Sequence, residues 1–231
     1  SYQESQIYVI NNIFENNKAF RGGAINLYYC DSLTIRNSEF DKNQSTNNGG
    51  VIDNTSCKNI EIYESSFTDN NCPNDGGVIY CSSGTIKIND CVFDRNEADN
   101  GGAIYEIIGS IDITNSTIKN SSASKGGAIY NGNYLRLFNT SFENNKADDG
   151  AGIYNLRLRI GNNPFVPPKT ESKITINNVT FRNNVSNNRG GALYNEDTGI
   201  IQGDGVTFDG NKANEGDNIW ECLCRPFKRV K

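Results

Sequence analysis

A tetrad of two glycines, a small residue and an aliphatic one recurs along the whole chain. It reads Gly22-Gly23-Ala24-Ile25, Gly49-Gly50-Val51-Ile52, Gly76-Gly77-Val78-Ile79, Gly101-Gly102-Ala103-Ile104, Gly126-Gly127-Ala128-Ile129 and Gly190-Gly191-Ala192-Leu193. Degenerate copies stand at Gly150-Ala151-Gly152-Ile153 and Gly216-Asp217-Asn218-Ile219. The start-to-start steps are 27, 27, 25, 25, 24, 40 and 26 residues. Only the step of 40 departs, and its excess holds Pro164, Pro167 and Pro168, which marks an inserted loop at about 157–172.

Two further landmarks keep the same register. A Phe-x-x-Asn motif precedes each glycine pair by eight or nine residues, at Phe14/Asn17, Phe40/Asn43, Phe67/Asn70, Phe93/Asn96, Phe142/Asn145, Phe181/Asn184 and Phe208/Asn211. In the fifth unit Ile118 and Ser121 take these places. Seven and five residues before each Phe lies an alternating apolar pair, such as Leu33/Ile35, Ile60/Ile62, Ile86/Ile88 and Leu135/Leu137. Period-2 alternation is the pattern of a strand with one buried face. A unit of about 25 residues is too short to enclose a core alone, so it must stack on its neighbours.

The expected fold is all-β: a right-handed single-stranded parallel β-helix, a solenoid of about eight coils with about 25 residues per coil. The repeat domain covers 1–221, and 222–231 form a basic tail with Arg225, Lys228, Arg229 and Lys231. Phe14, Phe40, Phe67, Phe93, Phe142, Phe181 and Phe208 are expected to stack inside. The matching Asn17, Asn43, Asn70, Asn96, Asn145, Asn184 and Asn211 are expected to form a structural amide ladder at a turn. The glycine pairs read as tight corners or close coil-to-coil approaches, since no phosphate-loop pattern accompanies them.

Composition removes several chemistries. The chain of 231 residues contains no His, which excludes a His base, a His triad and His metal sites. A net charge of −5 argues against a nucleic-acid footprint. No apolar run is long enough to cross a bilayer. Hydrophobic residues make up only 35%, yet Asn (37) and Gly (23), not Pro or Lys, fill the remainder, which points to turns rather than disorder. The lack of Met, even an initiator, predicts a processed or excised piece of something longer.

The alternating tetrad and Phe-x-x-Asn motifs resemble the repeats of the chlamydial polymorphic outer membrane protein family, with similar repeats in large surface proteins of archaea and protists. The resemblance runs from about Ile7 to Trp220. It implies a β-helix exposed at a cell surface, with adhesion or coat-building as its role, and it transfers no catalytic residues. No segment here resembles the family's C-terminal translocator barrel.

An aromatic residue follows the tetrad aliphatic in six units: Tyr80, Tyr105, Tyr130, Tyr154, Tyr194 and Trp220. Alternation turns these outward, giving either cross-coil stacking or a candidate binding face for sugars or another rod. The carboxylates Asp41, Asp69, Asp94 and Asp209 recur beside the repeat Phe and read as solvated turn decoration rather than an acid–base pair. Asp148, Asp149 and Asp197 fit no recognised calcium loop, so no metal and no cofactor are expected.

Cys30 and Cys57 occupy equivalent places in neighbouring coils and are the candidate disulfide. Cys72, Cys81 and Cys91 fall in the following coils as a source of another pair, while Cys222 and Cys224 are too close in sequence for an easy mutual bond, which leaves one of them to reach another chain. The sequons Asn54, Asn115, Asn120, Asn139 and Asn178 are possible glycosylation sites, whereas those at Asn43 and Asn184 are hidden if the amide ladder forms. The expected function is a non-enzymatic extracellular or cell-surface rod, coat or filament component, or adhesin. It would act through self-association or contact with other extracellular surface proteins. The alternative is a carbohydrate-binding or polysaccharide-cleaving β-helix using the Tyr/Trp ladder and the insertion.

Overall fold

The computed structural model describes residues 5–156, 172–196 and 200–221. Most of the insertion, Asp197 and the tail with Cys222 and Cys224 lie outside the described residues.

Among the described residues the chain has strands and turns but no helix. Every strand pairing among the described residues is parallel, and apart from a one-residue shift between Ala147↔Ser186 and Asp149↔Arg189 each residue sits over its counterpart in the next coil. The phenylalanine positions pair as Phe14↔Phe40, Phe40↔Phe67, Phe67↔Phe93, Phe93↔Ile118, Ile118↔Phe142, Phe142↔Phe181 and Phe181↔Phe208. The alternating pairs form a second column, with Leu33↔Ile60 and Ile35↔Ile62. The tetrad aliphatics form a third, from Ile25↔Ile52 to Leu193↔Ile219. The chain is therefore a parallel β-solenoid, as its periodicity predicts, and the insertion leaves the stack in register, because Ile153 still pairs with Leu193.

Each coil turns three corners, and each corner puts one residue in the left-handed region. The first column of corners is Asn11, Asn37, Glu64, Asp90, Asn115, Asn139 and Asn178, and the second is Asn16, Lys42, Asp69, Arg95, Asn120, Asn144 and Asn183. All have φ between 45° and 57°. The third column is the first glycine of each tetrad, including Gly49, Gly76 and Gly101. Asn and Gly tolerate this backbone with least steric cost, which accounts for their abundance. The second glycine does different work. A Cβ on Gly50 would be driven into the carbonyl oxygen of Gly77, and one on Gly77 into that of Gly102. That position carries the close coil-to-coil approach.

The core is continuous along the axis. Phe40, Phe67, Phe93, Phe142 and Phe181 are fully buried, as are Leu33, Ile35, Ile52, Ile60 and Ile62. Burying a side chain of this size contributes roughly 1.5–3 kcal/mol. The first coil is different: of its expected inward pair Val9 is buried but Ile7 is 38% exposed, and Ile13 and Phe20 lie open to solvent.

Candidate functional site

The Asn ladder comes first because its capacity for ligands can be judged from its bonds. Asn43 Nδ2 donates to Phe14 O at 2.9 Å and to Asn70 Oδ1 at 3.1 Å, while the Asn43 amide N–H donates to the same Oδ1 at 2.8 Å. Asn70 repeats the pattern on Phe40 O and Asn96, Asn145 on Ile118 O and Asn184, and Asn184 on Phe142 O and Asn211. Asn17 joins at the first coil through Asn43 Oδ1, and Asn211 closes on Phe181 O. Asn43, Asn70 and Asn184 thus donate twice and accept twice, while Asn145 donates twice and accepts the Ser121 backbone N–H, so the ladder spends its bonds along the stack.

The aromatic column stacks continuously. Ring centroids lie 5.7 Å apart for Tyr80–Tyr105, 4.5 Å for Tyr105–Tyr130, 5.2 Å for Tyr130–Tyr154, 4.5 Å for Tyr154–Tyr194 and 4.6 Å for Tyr194–Trp220. Of the two readings of this column, its centre takes the cross-coil stacking one rather than an open face. Tyr130, Tyr154 and Tyr194 are buried, and only Tyr80, Tyr105 and Trp220 remain partly exposed. Leu156 packs against the cluster. A charged column runs beside it, Lys125, Asp149, Arg189 and Glu215, bridged coil to coil. Lys125 Nζ stands 5.4 Å above the Tyr154 ring, and the Arg189 guanidinium 4.9 Å and 4.6 Å from Tyr194 and Trp220. The same guanidinium grips Asp149 through two bonds of 3.0 and 3.1 Å. Burial drives the phenol ionisation of Tyr105, Tyr130 and Tyr154 far above its usual range. These rings are neutral stacking elements, and cation–π contacts add to the stacking at Tyr154, Tyr194 and Trp220.

The recurring carboxylates are ion-paired. Arg95 binds Asp69 at 2.7 and 3.0 Å and Asp94 at 2.7 Å. Lys42 binds Asp41 at 2.7 Å, and Arg182 reaches Asp209 at 3.3 Å. The Arg95 guanidinium holds the Asp69 carboxyl below its ordinary value. A parallel column, Glu61, Lys87, Asp112 and Arg136, escaped the sequence reading. Lys87 binds Glu61 at 3.1 Å and Arg136 binds Asp112 at 2.5 and 2.7 Å. Its signal is plain once the units are aligned on the Phe: the sign alternates coil by coil.

A shallow groove of about 700 Å³ runs along the axis on the side that follows the Asn ladder. Its floor is the small-residue column Ser45, Cys72, Ala98 and Ala123, and Glu97, Asp99 and Asp148 stand among its acidic lining. Asp99 accepts from Ser124 Oγ at 2.6 Å. Among the described residues no group of three or more acidic or cysteine side chains is arranged to hold a metal ion.

Cys30 and Cys57 form a disulfide with a Cα–Cα distance of 4.4 Å, joining the first two coils. Cys72, Cys81 and Cys91 are free and buried. They do not make the second pair that their proximity in sequence suggested, because they stand in three different columns. Cys72 lies on the groove floor, Cys81 pairs in register with Asn54 and Glu106, and Cys91 donates toward Asn89 O. Burial pushes the Cys72 and Cys81 thiols to about 12 and Cys91 to about 11, so none is nucleophilic near neutrality. Asn54 is also corrected as a glycosylation candidate. It is buried, and its amide donates to Cys57 O at 3.2 Å and Ser83 O at 3.0 Å. Asn115, Asn120, Asn139 and Asn178 are exposed at corners, where Asn139 bonds Asn115 at 2.8 Å, Asn178 bonds Asn139 at 3.0 Å and Asn120 bonds Asp94 at 2.7 Å.

The Chlamydia polymorphic membrane protein repeat matches the chain at residues 37–55, 64–82, 90–105, 139–156 and 178–196. Each match spans a corner, a phenylalanine position, a ladder position and a tetrad. No curated protein and no solved structure matches. No helix among the described residues is long and apolar enough to cross a membrane.

Proposed function

From a chain that carries five Chlamydia polymorphic membrane protein repeats, we propose a non-enzymatic rod displayed at a cell surface, adhesive through its side and able to extend through its end. The repeat and the solenoid fold fit a surface protein. The observation that carries the finer reading is the saturation of the repeated polar positions. The Asn ladder bonds along the stack, and the recurring carboxylates pair with Arg or Lys. Recurring residues of this kind hold the rod together, which leaves recognition to features that are not so engaged.

Two such features support the reading. The acidic groove offers an elongated concave site for a hydroxyl-rich glycan chain or another surface protein. The first coil exposes Tyr8, Ile13, Phe20, Tyr28 and Tyr29 beside strand edges that take a further coil, in this protein or in a second copy. The carbohydrate reading belongs to the groove rather than to the tyrosines, whose central rings are covered.

Ala123→Arg places a bulky cation on the groove floor without touching the core columns. Binding of the labelled protein to glycan arrays and to cell surfaces is expected to fall at least tenfold, with an unchanged far-UV spectrum. Undiminished binding removes the groove from the proposal. Electron microscopy of the native protein tests extension separately, with short rods at all concentrations counting against it.

A further inference from the structure

One buried column differs from the uniform ladders. Two residues after each tetrad aliphatic it runs Leu27, Asn54, Cys81, Glu106, Asn131, Asn155, Asn195 and, at the last coil, the part-exposed Glu221, in register from coil to coil. Its lower half has a direction. Asn131 Nδ2 donates to Asn155 Oδ1 at 2.7 Å, and Asn155 Nδ2 donates to Asn195 Oδ1 at 2.6 Å. Asn131 Oδ1 then faces the coil above, where the same rule calls for a donor. The residue there is Glu106, with no exposed surface.

Two acceptors consequently stand unpartnered in successive coils: Glu106 Oε2 and Asn131 Oδ1 are both buried and make no hydrogen bond. Glu106 Oε1 accepts the Gly109 amide. The coil above supplies nothing, because Asn54 donates to Cys81 Sγ at 3.4 Å and Cys81 donates its own hydrogen to Ser83 O at 3.1 Å. We propose that Glu106 is a carboxylic acid in the folded protein below neutral pH, and that its Oε2–H donates to Asn131 Oδ1, continuing the ladder. One hydrogen satisfies both orphaned oxygens. A metal ion between the two coils fits less well. The consecutive Asn members of this column meet at 2.6–2.7 Å, the separation of a hydrogen bond, whereas an ion ligated from both coils needs roughly twice a metal–oxygen distance of about 2.3 Å.

The groups around Glu106 agree. Cys81 above is a thiol pushed to about 12, Tyr105 on the same strand is a phenol raised by burial, and Asn131, Gly132 and Asn133 below carry no charge. Among the described residues no cation faces the carboxyl. Burial pushes it up to about 7, offset in part by the Gly109, Gly132 and Asn133 amides. A folded-state value above the unfolded one gives stability that is whole at low pH. It declines as pH rises from about 4.5 to about 7 and then levels, since only the folded state holds the proton in that window.

The test compares urea unfolding of the wild type and Glu106→Gln across pH 4 to 9. Glutamine supplies a permanent Nε2–H donor to Asn131 and does not titrate. The ratio of the two unfolding constants is expected to move about tenfold per pH unit against the wild type between about 4.5 and 7, and to stay level above. A pH-independent ratio overturns the proposal. If Glu106→Gln fails to fold, wild type labelled at the glutamate carboxyl carbon answers the same question, because one resonance must titrate near 7. Its absence also overturns the proposal. Both series are repeated with calcium or potassium. Saturable stabilisation by either ion above pH 7 would assign Glu106 Oε2, Asn131 Oδ1 and the neighbouring orphan Asn133 Oδ1 to a cation instead.

Discussion

The column through Phe40, Phe67 and Phe93 repeats one side chain, with ring centroids 4.8–4.9 Å apart, whereas the column through Glu61, Lys87, Asp112 and Arg136 changes sign at every coil. Both follow from the same geometry. Parallel in-register stacking brings each residue to within about 4.8 Å of its counterpart. At that spacing a flat ring or an amide is complementary to a copy of itself, so identity is favoured inside. A charge repels its copy by about 1 kcal/mol in water and more near a low-dielectric wall, so identity is disfavoured outside. The repeat is strict where side chains are self-complementary and alternates where they are not.

Three substitutions probe that contrast. The largest effect is expected from Phe93→Ala, which opens a cavity between Phe67 and Ile118 and should cost about 3–5 kcal/mol in urea unfolding. Next is Asn70→Ala, which takes the side-chain donor from Phe40 O, leaves the Asn43 backbone N–H and one Asn43 Nδ2 hydrogen without their acceptor, and strips Asn96 Oδ1 of one of its two donors. With these groups buried, a loss of about 2–4 kcal/mol is expected. A loss under about 0.5 kcal/mol would show that the ladder merely decorates the turn. The smallest belongs to the outer column. Lys87→Glu sets three carboxylates in succession and should cost about 1 kcal/mol at low salt, shrinking as salt is added. If the cost persists at high salt, packing rather than charge governs the outer columns.

The contrast also explains what was legible in the sequence. Phe, the Asn ladder and the tetrads repeat as identical letters, so their period exposes the coil, the register and most of the core. The outer columns repeat as a relation between neighbours, opposite sign, which a search for recurring letters passes over. Alternation settled which side of its sheet Tyr130 takes but not what lies against that side, so its burial was missed. Lys42 and Arg95 hold left-handed corners that neither residue type advertises. Glu106 is legible in the sequence as an acid in mid-stack among the Asn and Cys two residues past each tetrad, a column whose other acid, Glu221, stands at the last coil.

Ile118 and Ser121 in the fifth coil have a mechanical consequence. Phenylalanine stacking runs from Phe14 to Phe93 and again from Phe142 to Phe208, with Ile118 between. Ser121 turns its hydroxyl back to Lys119 O at 3.3 Å, and Asn96 Nδ2 donates to Phe67 O alone. The backbone ladder and the tyrosine column cross this coil unbroken, yet the Phe and Asn ladders both stop at it. In a stack whose cohesion is a sum of nearest-neighbour contacts, the thinnest contact sets where the stack parts. Under tension along the axis the rod behaves as two stiff blocks meeting at a joint, and the joint yields first.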